Sequence, residues 1–561
     1  MEVRFQNPVY TIHSHQHLSP TGGKMKRFIL VWGLLWAVSP LLAQENQLDR
    51  EFEPIVLWME SFTEIYDAPA DEFFLYRFDN SDSTWHQIPF QYDEVSDSTG
   101  SYFDPDNGLV DPNDELVFMA KDAGDRAPED RWLMEQGALD NPRFEIQVTD
   151  GAHPDEAGWV YLYRSETLEI EFTEDYVSYD AGTDVFSSEY LTIGFANGPT
   201  LEDLAITEAG GGTGTDMIDR VKFRMRGAIA ILPPPFPPFE YEVTEDQIEV
   251  TSIQVVDGPI RVIRQAQGQI EIADDFPMEF DMEFIIYERY LGQADDAIDV
   301  DPAEIGLEHL RVSVDFNENQ IGSWMHLSSH ADSVLIDGEP DDPEVDIPDG
   351  SGYALGSSNQ GSLMQLFQFD SGLGNVDFYY YDNANGGTGD GSVDTGDGAS
   401  YGDTGIQVSQ FGTGTFGLGT QFYALPANQS PAVAEMYMEN LLNPIILTIT
   451  RQETDIVAVE PEIASLTVPS QVILYQNVPN PFNPKTTIQY DIAQAGEVSL
   501  TIYDIAGRLV RQWTLSNQPA GSYHLIWDGT NSQGQAMSSG LYIYRLETPH
   551  HARSKTMMLL R

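Results

Sequence analysis

The densest chemistry in the chain lies in YFDPDNGLVDPNDELVF, Tyr102 to Phe118. Asp104, Asp106, Asn107, Asp111, Asn113, Asp114 and Glu115 place seven oxygen-bearing side chains within twelve residues, around Gly108. Calcium takes about six to eight oxygen ligands, and a short Asp/Asn/Gly loop is the usual way a chain presents them. The spacing departs from the EF-hand, because Gly108 falls at the fifth position from Asp104 rather than the sixth. The stretch therefore reads as a calcium-type loop, or as an acidic hairpin held by Asx turns with no metal. A second cluster brings His309, His326 and His330 near Arg311 and Trp324 in sequence. A histidine with an arginine supplies a base and a charge-neutraliser for β-elimination on an acidic polysaccharide, and an indole stacks on a sugar ring. The plainer reading is loop histidines beside a structural Trp, since His326 and His330 fall in a strand and the turn after it. Carboxylates are too abundant to nominate a glycosidase pair.

The elements that must position these residues alternate with period 2. EFFLYRFD, WHQIPFQYDE, DELVFMAKD, RFEIQVTD and WVYLYRSE predict short strands between acidic turns over residues 44–165, with a helical turn or two within MAKDAGDRAPEDRWLMEQGAL. Residues 166–450 continue with longer alternating stretches, among them TLEIEFTEDYVSYD, DRVKFRMRGAIAIL and MEFDMEFIIYERYL, which predict a large antiparallel β-sandwich or supersandwich. LPPPFPPFEYE cannot donate ladder bonds through its prolines and reads as an edge or loop. The Gly/Asp run between Tyr379 and Gly405 reads as a flexible acidic loop, and AVAEMYMENLLN as a short amphipathic helix. The fold class is all-β and multi-domain.

Composition narrows the partners. There are 90 Asp and Glu against 27 Lys and Arg, a formal net charge of -63, and no cysteine. Such a surface repels phosphate backbones, which excludes nucleic-acid binding, and the core holds together without disulfides. Residues 1–24 have no periodicity and read as an upstream extension. Lys26-Arg27 followed by FILVWGLLWAV and a small-residue break at Ala43 reads as a signal peptide over 25–43. No later stretch is apolar enough for a membrane helix, so the mature chain is expected to be secreted or held at the cell surface.

The last segment, 471–561, follows a Pro- and acid-bearing linker at 451–470. QNVPNPFNPKTTIQY, EVSLTIYD, LVRQWTL, SYHLIWDG and GLYIYRLE predict a small antiparallel sandwich of about seven strands. The order of NPFNP, YDIAGRLVR, WDG, SGLYIYRL and KTMMLLR resembles the type A C-terminal sorting domain of type IX secretion cargo. It is similar also to the Ig-like domain of flagellar hook capping proteins. The resemblance implies an Ig-like C-terminal β-sandwich that outer-membrane secretion machinery reads as an address and often removes. No Walker loop, HExxH or cysteine nucleophile occurs. The expected cargo is a binding or structural module for extracellular glycan or protein, calcium being its one candidate cofactor. The alternative is a polysaccharide lyase or glycoside hydrolase on a β-sandwich scaffold.

Overall fold

A computed structural model describes residues 44–560 apart from 97–98, 105–106, 230–237, 274–275, 294–295, 299–305, 329, 331, 342–344, 348–349, 371, 413–415, 455, 458–471, 483, 506 and 533–534. Asp106, the leader and most of the linker lie outside the described residues. The described chain is nearly all β, in several antiparallel sheets.

The first unit is a sandwich. Its three-stranded sheet runs Pro54–Trp58, Glu115–Met119, Gln91–Asp93. The facing five-stranded sheet runs Ile446–Gln452, Arg143–Thr149, Ala157–Arg164, Phe73–Asp79, Thr84–Gln87. Glu115–Met119 is buried at every position, which a strand with one wet face cannot be. Leu116 and Phe118 enter the first unit's core, while Val117 and Met119 pack with Ile260, Ile263 and Tyr287 of the second unit. This strand is thus the seam between two bodies.

The second unit packs a six-stranded sheet against a ten-stranded one around a shared apolar core, with a four-stranded sheet over Val177–Ile206 at one side. In the six-stranded sheet Ile218–Ile229, Leu307–Phe316, Ser400–Ser409 and Asn375–Asn383 lie side by side. Val221, Leu310, Val314, Ile406 and Phe378 point into the core, so Lys222, Arg224, Arg311, Asp315 and Asp403 share the opposite face. That face is not wet. Residues 384–399, read from sequence as a flexible acidic loop, lie over it, and Thr388, Ser392 and Thr395 are buried there. Gly396 allows the approach: it has φ +82, and a Cβ on it would fall 1.8 Å from an Asp219 carboxylate oxygen.

Two further departures from the sequence reading have packing causes. Of TLEIEFTEDYVSYD only Val177–Asp180 pairs as a strand; the earlier part is held at the rim by side-chain bonds, Gln87 accepting from the Glu171 N–H and donating to the Glu169 carbonyl. The boundary set at 450 runs through a strand. Ile446–Gln452 pairs with Arg143–Thr149 along its whole length, so the chain returns to its first unit after completing the second. Leu447 and Ile449 pack on the first unit's core. The helix predicted over 432–443 is Pro431–Leu442, and Arg50 donates to the Asn443 carbonyl just beyond its end.

The C-terminal unit holds two four-stranded sheets, one of Ile456–Val457, Gly521–Trp527, Thr486–Ile492 and Ile473–Leu474, the other of Leu509–Gln518, Gly496–Asp504, Gly540–Thr548 and His551–Leu559. Trp527, Ile502 and Leu546 fill the space between them. The return strand yields a direct test. A chain ended at 445 leaves Arg143–Thr149 as a bare edge and uncovers part of the core, so it should melt at least about 4 °C lower than one ended at 457 and aggregate on heating, as read by calorimetry.

Candidate functional site

Most of the acidic loop's oxygens are already engaged by protein donors. Asp114 is buried and accepts from the Val95 and Asp111 N–H groups and from the Tyr92 hydroxyl. Burial raises its pKa, against those same hydrogen bonds. Glu115 is also buried; it accepts from Tyr102 at 3.1 Å and from Arg261. Asn113 donates to the Val95 carbonyl, Asn107 accepts from the Leu109 N–H and donates to Asp111, and Asp104 accepts from Thr99. Gly108 turns the loop at φ +75, as an Asx turn at Asn107 requires. Among the described residues, the carboxylate groups close enough to share an ion are Asp79–Asp82–His86 and Asp150–His153–Glu156, both away from this loop. Asp150 already holds Arg50 at 2.7 Å.

The loop's place in the fold gives it a different importance. Arg261, from the second unit, reaches back to Asp93 at 2.9 Å and to Glu115, and its guanidinium lies over the Tyr102 ring. Gln91 completes the joint: its amide oxygen accepts from the Ile260 and Arg261 N–H groups, and its nitrogen donates to Asp93. Lys121 to Glu288 at 2.6 Å and Tyr176 to Asp122 at 2.9 Å cross the same seam. Two carboxylates and one guanidinium are dry here, which is tolerable only with all partners present.

Beside this joint lies an open groove of about 860 Å³ between the two units. Phe73, Phe90 and Phe172 form its apolar floor, and Asp71, Glu94 and Asp257 its acidic lining. Gly108 of the acidic loop and the Gly258-Pro259 turn next to Arg261 also line it. Ile170, 62% exposed, stands at its edge. The arrangement suits an extended ligand with an apolar face and positive or hydrogen-bond-donating groups. Sequence reasoning found the loop but not the groove. The available signal was the unpaired apolar content of LEIEF beside an acidic run.

The histidines do not converge. His309 lies on the loop-covered face of the six-stranded sheet, 3.9 Å from Asp390, and burial with nearby Arg226 lowers its pKa. His326 and Trp324 lie on the ten-stranded sheet, on the face away from the shared core. Two sheets therefore separate His309 from His326. His326 bonds Ser333, and burial lowers its pKa; His330 bonds the Asp332 carbonyl. Trp324 is 47% exposed and shares its face with His326, two residues along the strand.

Residues 483–549 match the FlgD Ig-like domain family. A search of curated proteins gives no match. Among solved structures the chain is similar to an alpha-mannosidase from Enterococcus faecalis V583, at 10% identity and TM-score 0.36, covering 86% of this chain and 55% of that one. It is similar also to dimeric latent PorU from Porphyromonas gingivalis, at 14% identity and TM-score 0.14 over 72% of this chain and 35% of that one. PorZ, described as an essential surface component of the type-IX secretion system of the same organism, aligns at 10% identity and TM-score 0.13 over 72% and 49%. The chain thus spans about half the length of the mannosidase it resembles, and no activity follows from these likenesses. Among the described residues no helix is long and apolar enough to cross a membrane.

Two measurements probe the joint. Arg261→Met leaves Asp93 and Glu115 buried without their cation; it should cost about 3–5 kcal/mol in denaturant unfolding and expose the 166–176 connection to protease. Glu283, half-buried near Arg261, has its pKa raised to about 7 by burial and by Asp281, with Arg261 opposing. Its folded-state pKa lies above the unfolded one, so its contribution is complete below about pH 4.5 and is lost as pH rises through about 7. Glu283→Gln should therefore flatten the fall in stability across that window by on the order of 1–2 kcal/mol, and wild-type-like pH dependence in the variant would rule this out.

Proposed function

We propose that this chain is an exported binding protein whose C-terminal Ig-like unit is a type IX sorting domain and whose first two units present the inter-unit groove to an extracellular glycan or protein. The observation that carries the export half is the FlgD Ig-like match at 483–549, continued by the paired strands Gly540–Thr548 and His551–Leu559. Charge supports a separate address. Residues 471–561 hold seven Lys and Arg against five Asp and Glu, in a chain whose net charge is -63. His551–Leu559 is an edge strand with Arg553 exposed, so the machinery meets a near-neutral, slightly cationic module on an acidic cargo. The signal peptide over 25–43 supplies the first membrane crossing in this reading.

The binding half rests on the groove. Its aromatic floor offers stacking surface and its acids select against anionic ligands. Calcium belongs to the same proposal at the wall: among the described residues, Asp104 and Asp111 are the loop carboxylates least committed to buried partners. A rise in melting temperature with calcium that Asp104→Asn abolishes is the expected sign, and an unchanged melt with calcium or chelator would leave the loop an Asx-capped turn.

The test has separate readouts for the two halves. In a host with type IX machinery, removal of 471–561 should strand the cargo in the periplasm, while the exported wild type should lack those residues by mass. Export of the truncated chain at the wild-type level would overturn the sorting role. Wild type should be retained on one member of a panel of neutral polysaccharides and basic proteins, with Phe172→Ala and Asp257→Asn each weakening retention at least about tenfold, roughly 1.4 kcal/mol. Retention unchanged by both substitutions would remove the groove from the binding site.

A further inference from the structure

On the covered face of the six-stranded sheet, a lysine and two aspartates from three adjacent strands meet in a dry space. Lys222, Asp315 and Asp403 are all completely buried. Lys222 Nζ lies 2.6 Å from Asp315 Oδ2 and 4.0 Å from Asp403 Oδ2. The Tyr401 N–H donates to Asp315 Oδ1 at 3.1 Å, while neither oxygen of Asp403 has a hydrogen-bond partner. The sheet fixes these places: Lys222 is opposite Ser313, two residues before Asp315, and Asp403 is carried by the strand on the other side.

From this geometry we propose that Lys222 and Asp315 join in an intramolecular isopeptide bond, with Asp403 as the proton carrier. Near-attack geometry asks for about 3–3.5 Å between reacting atoms, and Nζ at 2.6 Å from Oδ2 sets the amine beside the carboxyl carbon. The step balances within the triad. The Lys222 ammonium gives one proton to the Asp403 carboxylate, and the freed amine attacks Cγ of the neutral Asp315 carboxyl. Asp403 returns that proton to the departing Oδ2 hydroxyl and takes a second from nitrogen. Water leaves, the amide forms, and Asp403 ends protonated. The Tyr401 N–H polarises Oδ1 during attack and remains on it as the amide carbonyl.

The electrostatics favour the neutral electrophile the step requires. Burial and the neighbouring Asp403 raise the Asp315 pKa well above the carboxylate range, with Lys222 opposing. Burial lowers Lys222, but Asp403, Asp315 and Asp394 more than offset it, so the amine is released only by transfer to a carboxylate. Asp394 is the competing acceptor, at 2.8 Å. It takes N–H bonds from Thr395 and Gly387, which stabilise its carboxylate and make it a poor electrophile. Residues 384–399 keep bulk water from the site, which favours condensation over hydrolysis.

Denaturing digestion of the full chain, followed by mass spectrometry, decides the matter. The expected product is a branched peptide joining the Lys222 and Asp315 segments, lighter by one water than the two apart. Lys222→Arg should lose the branch, and Asp403→Asn should leave Lys222 and Asp315 unlinked at full mass. Separate unmodified peptides from the wild type, with Lys222 labelled by an amine reagent after denaturation, would overturn the proposal. A branch to Asp394 would overturn the assignment to Asp315, and full linkage in Asp403→Asn would overturn the role of Asp403.

Discussion

A chain with so few cations puts many of them inside. Arg50, Arg143, Lys222, Arg224, Arg261, Arg264, Arg289 and Arg311 are all buried. Several bridge acids or carbonyls distant in sequence: Arg50 ties Asp150 to Asn443, Arg264 holds Asp184, and Arg261 joins Asp93 to Glu115 across the inter-unit seam. Each such charge costs several kcal/mol to dehydrate and recovers it only with its partners in place. The consequence is specificity of arrangement: without cysteine, these buried pairs select which strands and units meet.

The groove depends on that selection. Its floor comes from the first unit and part of its wall from the Val256–Pro259 turn of the second, so it exists only while Arg261 and Gln91 hold the turn against strands Gln91–Asp93 and Glu115–Met119. The acidic loop serves this joint through Glu115, and lines the groove through Gly108. The groove is therefore a property of two units together. The C-terminal unit is separate in composition, and its near-neutral charge sets it apart from the acidic rest of the chain.

Alternation made most strands legible. Phe73–Asp79, Arg143–Thr149 and the paired strands of the Ig-like unit each have one apolar face in sequence. What failed was instructive. LEIEF alternates as well as any strand, yet the edge beside it is satisfied by the Gln87 side chain and no ladder forms. The Gly/Asp run reads as a flexible acidic loop because the groups that pin it lie about 80 to 170 residues away: Lys222 donates to Asp394, Arg224 donates to the Val393 carbonyl, and Arg311 pairs with Asp390.

The order of residues alone determined that this is an all-β, strongly acidic chain with an Ig-like end, because period-2 patterning, charge and turn residues are local properties. Tertiary structure decided the rest. It returned Ile446–Gln452 to the first sheet, parted His309 from His326, committed Glu115 to an inter-unit joint, and set Lys222 against Asp315. Those are contacts between strands far apart in sequence, and which strands become neighbours depends on the packing of the whole core and the pairing of its buried charges.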